Sequence, residues 1–508
     1  MPKANLMTKT FSILVLSSAL LITACGPSDE NNDNHANHAN HDNHDNHDNH
    51  DGGEVNVPET YTFESRFVEG ESSVSYSGQT ARHLLINELN LYIGGQLEDD
   101  ALSNTAFGSQ EDFYSALLFY YEFDSDADGA TELQTSTEPS AKQATFNDVS
   151  TEKDLVGKTA GNDSVTDHKD WSTEFAGWSD ASIAANGGDI GSPEGLLRAY
   201  MNTLATQAYD LSQGTPVADP IADGETLPVY VTPTGLDLKQ LTQKFLLMSI
   251  AFSQGADDYL DSSTDGKGLR ASNAQDGDSA YSPLEHAWDE GFGYFGAARD
   301  YAAYTDQQIA DGDLVDTDGD GAIDFKTEYN FGASVNAAKR DLGSADGAKT
   351  DFTEEAFQAF VTGRAIISAA GDELTDEQMA SLEEQRDIAV SAWEKAIAAT
   401  AVHYINDTLQ EMNKFGTEDY DFATHAKVWS ELKGFSLGFQ FNPTSPMNEG
   451  SRFTDFHTLI KDAPVLPDAE EADIASYRED LIEARALLGD AYGFDAANLG
   501  DENGENGW

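Results

Sequence analysis

The 508-residue chain carries 91 acidic side chains against 28 basic ones, a formal charge of −63. A potential of that sign repels phosphate backbones and anionic lipid surfaces, which excludes nucleic acid as a partner. The length suffices to bury a large core, and the lone cysteine, Cys25, excludes both a disulfide framework and a zinc site built from several thiolates.

Lys3 and Lys9 precede the apolar run Phe11 to Ile22, which is too short to span a bilayer and is flanked as a secretory signal peptide is. Residues 1–24 are therefore expected to be a leader. Its end, Leu21-Ile22-Thr23-Ala24-Cys25, resembles the lipobox of bacterial lipoproteins. That resemblance implies lipidation of Cys25 as the new N-terminus, and Gly26 after it implies delivery toward the outer membrane. Ser28-Asp29-Glu30 also resembles a surface-export signal.

Residues 25–57 form the expected tether. From Asn31 to Gly53 it is almost wholly Asn, His, Asp and Ala, with histidines at His35, His38, His41, His44, His47 and His50. Such a segment has nothing to build a core from. A histidine at every third position of a pliant chain lets several imidazoles converge on one borderline cation, aided by Asp42, Asp45 and Asp48. Zinc, copper, nickel and iron all suit those donors, and the alternative is a hydrophilic spacer that lifts the body off the lipid.

Residues 58–508 read as a single large helical body with acidic insertions at about 124–190 and 304–330. Tyr61 to Phe67 suggests a short strand. Ala81, Leu84, Leu85, Leu89 and Tyr92 then recur at helical spacing, predicting a half-buried helix from Gly78 to Ile93. A second helix is expected after Ser109, through Phe113 to Phe123. The insertion that follows opens on Asp124-Ser125-Asp126-Ala127-Asp128-Gly129-Ala130-Thr131-Glu132, whose alternating carboxylates Asp124, Asp126 and Asp128, with the Ala130 carbonyl and Glu132, match a calcium loop. Thr135 stands where such a loop usually ends on glutamate.

Ser192-Pro193-Glu194 opens a helix that runs to Leu211, and Leu236 to Leu260 reads as another. Ser282-Pro283-Leu284-Glu285 then combines a capping serine, a proline at the first helical position and a capping-box glutamate. On the helix that follows, His286 and Glu290 lie one turn apart with Asp289 beside them, a geometry suited to a metal or a substrate hydroxyl. Gly291-Phe292-Gly293-Tyr294-Phe295-Gly296 matches a dinucleotide glycine pattern in letters only. A helix rather than a strand runs into it, so close packing explains the glycines better.

The second insertion holds the clearest metal motif, Asp316-Thr317-Asp318-Gly319-Asp320-Gly321-Ala322-Ile323-Asp324. Asp316, Asp318 and Asp320 alternate, Gly321 permits the sharp turn, and the Ala322 carbonyl and Asp324 extend the shell. Thr327 occupies the closing position, so Glu328 or a distant residue must complete the site. Further helices are predicted near Ala333 to Leu342, Glu354 to Ala370, Asp376 to Lys414 and Phe422 to Phe439. Thr375 and Gln378 give the longest a capping box. On it, His403 and Asp407 repeat the one-turn spacing, so facing helices could join the two pairs around iron, manganese or zinc. His425 and Glu431 read as partly buried polar groups.

These elements predict an all-α fold, an irregular multi-helix bundle with long calcium-stabilised loops and little β-structure. No Gly-x-Ser-x-Gly elbow, phosphate loop or His-Glu-x-x-His occurs, so no catalytic constellation can be assembled and no enzyme is expected. Val74 to Arg82, His286 to Tyr294 and Trp429 to Phe435 resemble an uncharacterised family of bacterial surface lipoproteins. His286-Ala287-Trp288-Asp289 bears a fainter similarity to the His-x-x-Glu signature of imelysin-like, iron-regulated helical proteins. Aspartate replaces the glutamate, and the upstream glycine of the fuller motif is missing. Taken with the calcium loops and the histidine tail, these likenesses give the expectation of an outer-membrane or surface lipoprotein, with calcium as structural ion, that handles iron, zinc or copper and passes it to an outer-membrane transporter. The alternative expectation is a non-enzymatic surface module that binds a glycan, peptide or partner receptor.

Overall fold

Apolar side chains recur at helical spacing along most of the body, and the computed structural model gathers them into an all-α architecture; it describes residues 55–508 apart from 104, 180–182 and 184–188. The leader, Cys25 and the histidine tail lie outside the described residues.

The first helices are α1 (Ser77–Leu91), α2 (Leu97–Ser103) and α3 (Gln110–Tyr121), with a π-helical turn over Tyr92–Gln96 joining the first two. Next come α4 (Pro193–Ser212), α5 (Leu238–Leu246) and α6 (Pro283–Phe295). The second half supplies α7 (Gly332–Gly343), α8 (Phe352–Ala369), α9 (Asp376–Asn413) and α10 (Phe422–Ser436). Beyond the last predicted helix lie α11 (Arg452–Ile460) and α12 (Glu471–Tyr492).

The axis of the body is α9, whose 38 residues span about 57 Å at 1.5 Å each. The predicted capping box starts it, with Thr375 Oγ1 accepting from Gln378 N at 3.2 Å. Its middle runs through Ala396, Ala398, Ala399 and Ala401, all fully buried, and these small side chains let α8 and α10 approach closely on either side. On α10, Trp429 donates from its indole to Ile460 O at 3.1 Å and to the Tyr477 hydroxyl at 2.9 Å, tying α10 to α11 and α12.

The helix expected over Leu236 to Leu260 changes character midway. After α5 the backbone adopts π-helical turns over Leu247–Phe252 and Gln254–Tyr259. Gly255 lies in the second, where an added Cβ would come within 2.7 Å of the Trp393 ring. The widened turns therefore admit the largest side chain of α9, a demand that periodicity alone does not reveal.

The strand expected over Tyr61 to Phe67 does not form. Among the described residues only isolated bridges occur, here Glu64 with Ser72. Tyr61 instead donates its backbone N–H to Arg299 O at 2.7 Å and stacks on Phe292 with ring centroids 3.8 Å apart. The segment is held by ring stacking on α6 and by separate backbone hydrogen bonds rather than by a partner strand.

Candidate metal centre

Carboxylates in a loop repel one another unless backbone N–H groups or a cation face them, and the 316–328 segment provides the first of these. Asp316 Oδ1 accepts from Gly319 N at 2.7 Å and Asp320 N at 3.1 Å, while its Oδ2 accepts from Gly321 N at 2.7 Å. Asp318 Oδ1 accepts from Asp320 N, and Asp320 Oδ1 from Ala322 N, each at 3.0 Å. Gly319 and Gly321 adopt φ of +74° and +89°, conformations that other residues rarely take, and the chain thereby coils around its own carboxylates.

Glu328 closes this loop, taking the role left vacant by Thr327. Its side chain is buried; Oε1 accepts from Thr317 N and Thr317 Oγ1, each at 2.8 Å, and Oε2 from Asp324 N at 2.7 Å. Among the described residues one group of His, Cys, Asp or Glu side chains brings three ligand atoms within 4.8 Å of one another, and it is Asp316, Asp318 and Glu328. Oxygen donors alone in a flexible loop suit a hard divalent cation.

The remaining loop positions are placed differently. Asp324 turns away to accept from Gln143 Nε2 at 2.9 Å. Asp320 and Asp318 meet Lys142 Nζ at 2.9 and 2.8 Å. The lysine is delivered by backbone pairing, with Lys142 N donating to Ile323 O at 2.8 Å and Ile323 N to Ser140 O at 3.1 Å. Hydrogen bonding from Lys142 holds the Asp318 carboxyl below the usual carboxylate range. Lys142 is thus an internal cation at the rim of the loop, and an ion entering there displaces it or shares with it.

The matching run at Asp124 folds otherwise. Asp124 caps a helical turn, Ser125–Asp128, accepting from Asp126 N at 3.0 Å and Ala127 N at 3.3 Å. Two residues apart on a helix is about 200° of rotation, so Asp126 and Asp128 diverge. Glu132 is drawn into a backbone bridge with Thr145, and the Asp124, Asp126, Asp128, Ala130 and Glu132 set does not converge among the described residues. Thr135, at the expected last position, is bound by Glu88 of α1, which accepts its N–H at 2.7 Å and its hydroxyl at 2.6 Å.

On α6 the capping box forms as predicted, Ser282 Oγ accepting from Glu285 N at 3.1 Å and Glu285 Oε2 from Ser282 N at 2.8 Å. The glycines serve packing. A Cβ on Gly291 would lie 2.9 Å from Leu260, and one on Gly293 would lie 2.7 Å from Tyr76. His286 Nδ1 faces Ser75 O at 3.0 Å, which makes it the donor and turns Nε2 toward Glu290, 3.7 Å away. Asp289 does not join them. It is fully buried and accepts from Arg364 Nε at 2.8 Å, the Tyr61 hydroxyl at 2.8 Å and Ser75 N at 3.0 Å. Burial pushes its carboxyl up even against the pull of Arg364. Its role is to anchor α6 in the core.

His403 and Asp407 also pair, at 3.3 Å. Burial, and after it the charge of Arg340, presses the His403 imidazole down to about 3. Neither helical pair has a third imidazole or carboxylate in ligating range among the described residues, so the two pairs do not assemble one centre. His425 is buried, as expected, with Nδ1 3.2 Å from the Tyr420 hydroxyl. What the sequence does not disclose is the supporting set of Lys142, Gln143 and Glu88, each supplied by a segment distant along the chain from the loop it serves.

The family model described as a domain of unknown function (DUF4856) matches residues 58–454. No match was found among curated proteins or among solved structures. The match spans most of the helical body, from the segment that Asp289 fixes to the start of α11, and by that coverage the chain belongs to the DUF4856 family.

Proposed function

We propose that the protein is a lipid-anchored lipoprotein of the outer membrane or cell surface that binds metal through two separate devices. Asp316, Asp318 and Glu328 take calcium as a structural ion. The tail histidines His35, His38, His41, His44, His47 and His50 collect iron, zinc or copper for transfer to an outer-membrane transporter. The observation that carries the reading is the convergence of three oxygen ligands within 4.8 Å in a loop already wound around its own aspartates. The 91 acidic residues add a general attraction for cations.

The tail pays ordering entropy on every closure, so its affinity is modest and is lost below the imidazole pKa of roughly 6.5. Zinc, copper and ferrous iron titrated into the full chain and into a chain lacking residues 31–53 test this. Transition-metal binding should fall with the tail, while the calcium-dependent rise in melting temperature should stay. A tail deletion that leaves transition-metal binding intact sinks this part of the reading.

One observation favours the second reading, a surface module for a glycan, peptide or receptor. A cleft of about 350 Å³ is lined by Ser391, Glu394, Asn442, Thr444 and Tyr492. Glu394 among them is buried and holds the lining together, accepting from the Tyr492 hydroxyl at 2.8 Å, from the Ser445 hydroxyl and from Asn442 Nδ2, so the cleft has an ordered polar wall for hydroxyl-rich ligands. If neither form of the protein binds a transition metal, this reading takes its place.

A further inference from the structure

Carboxylates drawn together in a loop repel one another, and a cation of the chain's own can answer that repulsion as a metal does. The 316–328 loop has such a cation in place. Lys142 Nζ lies 2.8 Å from Asp318 Oδ2 and 2.9 Å from Asp320 Oδ2, so it bridges two of the alternating aspartates. It comes from a segment 176 residues before Asp318.

The backbone that carries the lysine is fixed to the loop independently of its charge. Lys142 N donates to Ile323 O at 2.8 Å, and Ile323 N to Ser140 O at 3.1 Å. Beside it, Gln143 grips the same loop with both ends of its amide. Its Nε2 donates to Asp324 Oδ1 at 2.9 Å, and its Oε1 accepts from Phe325 N at 3.0 Å. The ammonium can therefore swing away on its flexible stem while the segment beneath it stays docked. The Lys142 side chain is 25% exposed, and those of Asp318 and Asp320 are 56% and 47% exposed, so an ion can reach this pair from solvent.

The lysine and the converging ligand set overlap. Asp318 belongs to the group of three with Asp316 and Glu328, and it is also a partner of Lys142. Asp320, the next of the alternating carboxylates, lies outside that group and on the lysine. A calcium ion takes roughly six to eight oxygens, so it gains from Asp320 as well as from Asp318. A divalent ion and an ammonium that share one carboxylate repel each other. Occupancy by the ion and by the lysine are thus opposed.

We propose that Lys142 is a tethered competitor for the metal of this loop, an internal cation that stands in for calcium and raises the concentration at which calcium binds. This rests on the reading of the loop as a calcium site. Because the competitor is attached, it is present at a fixed local concentration that dilution does not lower. At low calcium the lysine neutralises Asp318 and Asp320 and keeps the loop wound. At high calcium the ion takes both carboxylates, and the ammonium turns out to solvent.

Calorimetric titration of the full chain with calcium chloride, after treatment with a chelator, tests this on the natural protein and on Lys142→Met and Lys142→Arg. The same titration of Glu328→Gln, which lacks the closing ligand, separates the loop from calcium held elsewhere on the acidic surface. Lys142→Met keeps an unbranched stem and removes the charge, and it should bind calcium about tenfold more tightly, the scale of one unit charge taken from a few ångströms away. Lys142→Arg keeps the charge and should stay near the natural affinity. A lysine that only propped the loop open would give the opposite sign, weaker binding on its removal. Equal or weaker binding by Lys142→Met, or a Lys142→Arg protein as tight as Lys142→Met, overturns the competitor and leaves the calcium site standing. If neither the natural protein nor Lys142→Met shows a site that Glu328→Gln removes, the calcium reading itself falls, and the competitor with it.

Discussion

Arg364 Nε lies 2.8 Å from Asp289 Oδ1, and neither side chain reaches solvent. The same guanidinium touches Glu285 at 3.0 Å and Ser73 Oγ at 2.7 Å, so one cation on α8 holds the first two turns of α6 and the segment before α1. Gly363, its neighbour, lets the Trp288 ring lie on the α8 backbone, where a Cβ would come within 2.1 Å of it. The Trp288 indole donates to Phe360 O at 2.9 Å.

Removing that cation strands two carboxylates in the core. Arg364→Met is expected to lower stability by about 3–5 kcal/mol, the cost of breaking a buried pair from one side. The midpoint of urea unfolding measures it. A loss below about 1 kcal/mol, the scale of an exposed pair, would mean that apolar packing alone fixes α6.

Calcium should stabilise the body through the 316–328 loop. At a hundredfold excess over the dissociation constant, one ion contributes about 2.7 kcal/mol. Asp318→Ala with Asp320→Ala, or Glu328→Gln alone, should remove most of the calcium-dependent rise in melting temperature. Asp126→Ala should leave it unchanged, since Asp126 diverges from its neighbours on a helical turn. An undiminished rise in the Glu328→Gln protein removes the loop from the account.

Acid should unfold the protein through its buried imidazoles. Burial presses His425 down to about 4, and His83 likewise to about 4. With the folded pKa below the unfolded value of roughly 6.5, the unfolded chain binds the proton first. Stability is therefore fully present above pH 6.5 and is lost as pH falls toward 4. His425→Phe, which keeps the aromatic contacts with Phe415 and Tyr420, should remove about 3 kcal/mol of that loss. Unfolding free energies between pH 7 and 4.5 decide, and an unchanged slope counts against the assignment.

Cys25→Ala should release the protein from the membrane fraction and abolish incorporation of labelled fatty acid. Unchanged retention with no loss of label would defeat the lipid-anchor proposal.

Much of the local structure follows from short-range rules that need no partner. Ser282 and Glu285 cap α6, and Thr375 and Gln378 cap α9, because a capping box is satisfied within one turn. Alternating aspartates with glycines at 319 and 321 likewise wind a loop from their own backbone donors. Apolar spacing along the body is enough to make the fold all-α. Tertiary structure decided the rest, wherever a residue's role depends on what another segment brings to it. Asp289 and Glu290 are sequence neighbours, yet Arg364 claims the first for the core while the second faces His286. The two acidic runs share a spacing, yet Glu328 closes one and Glu88 draws the far end of the other to α1. Trp393 on α9 lies against Gly255 in the π-helical turns, and a periodicity that counts only residues within a helix cannot register that contact. Charge pairing, ring packing and backbone bridging act across hundreds of residues, and their outcome is set only when the chain closes on itself.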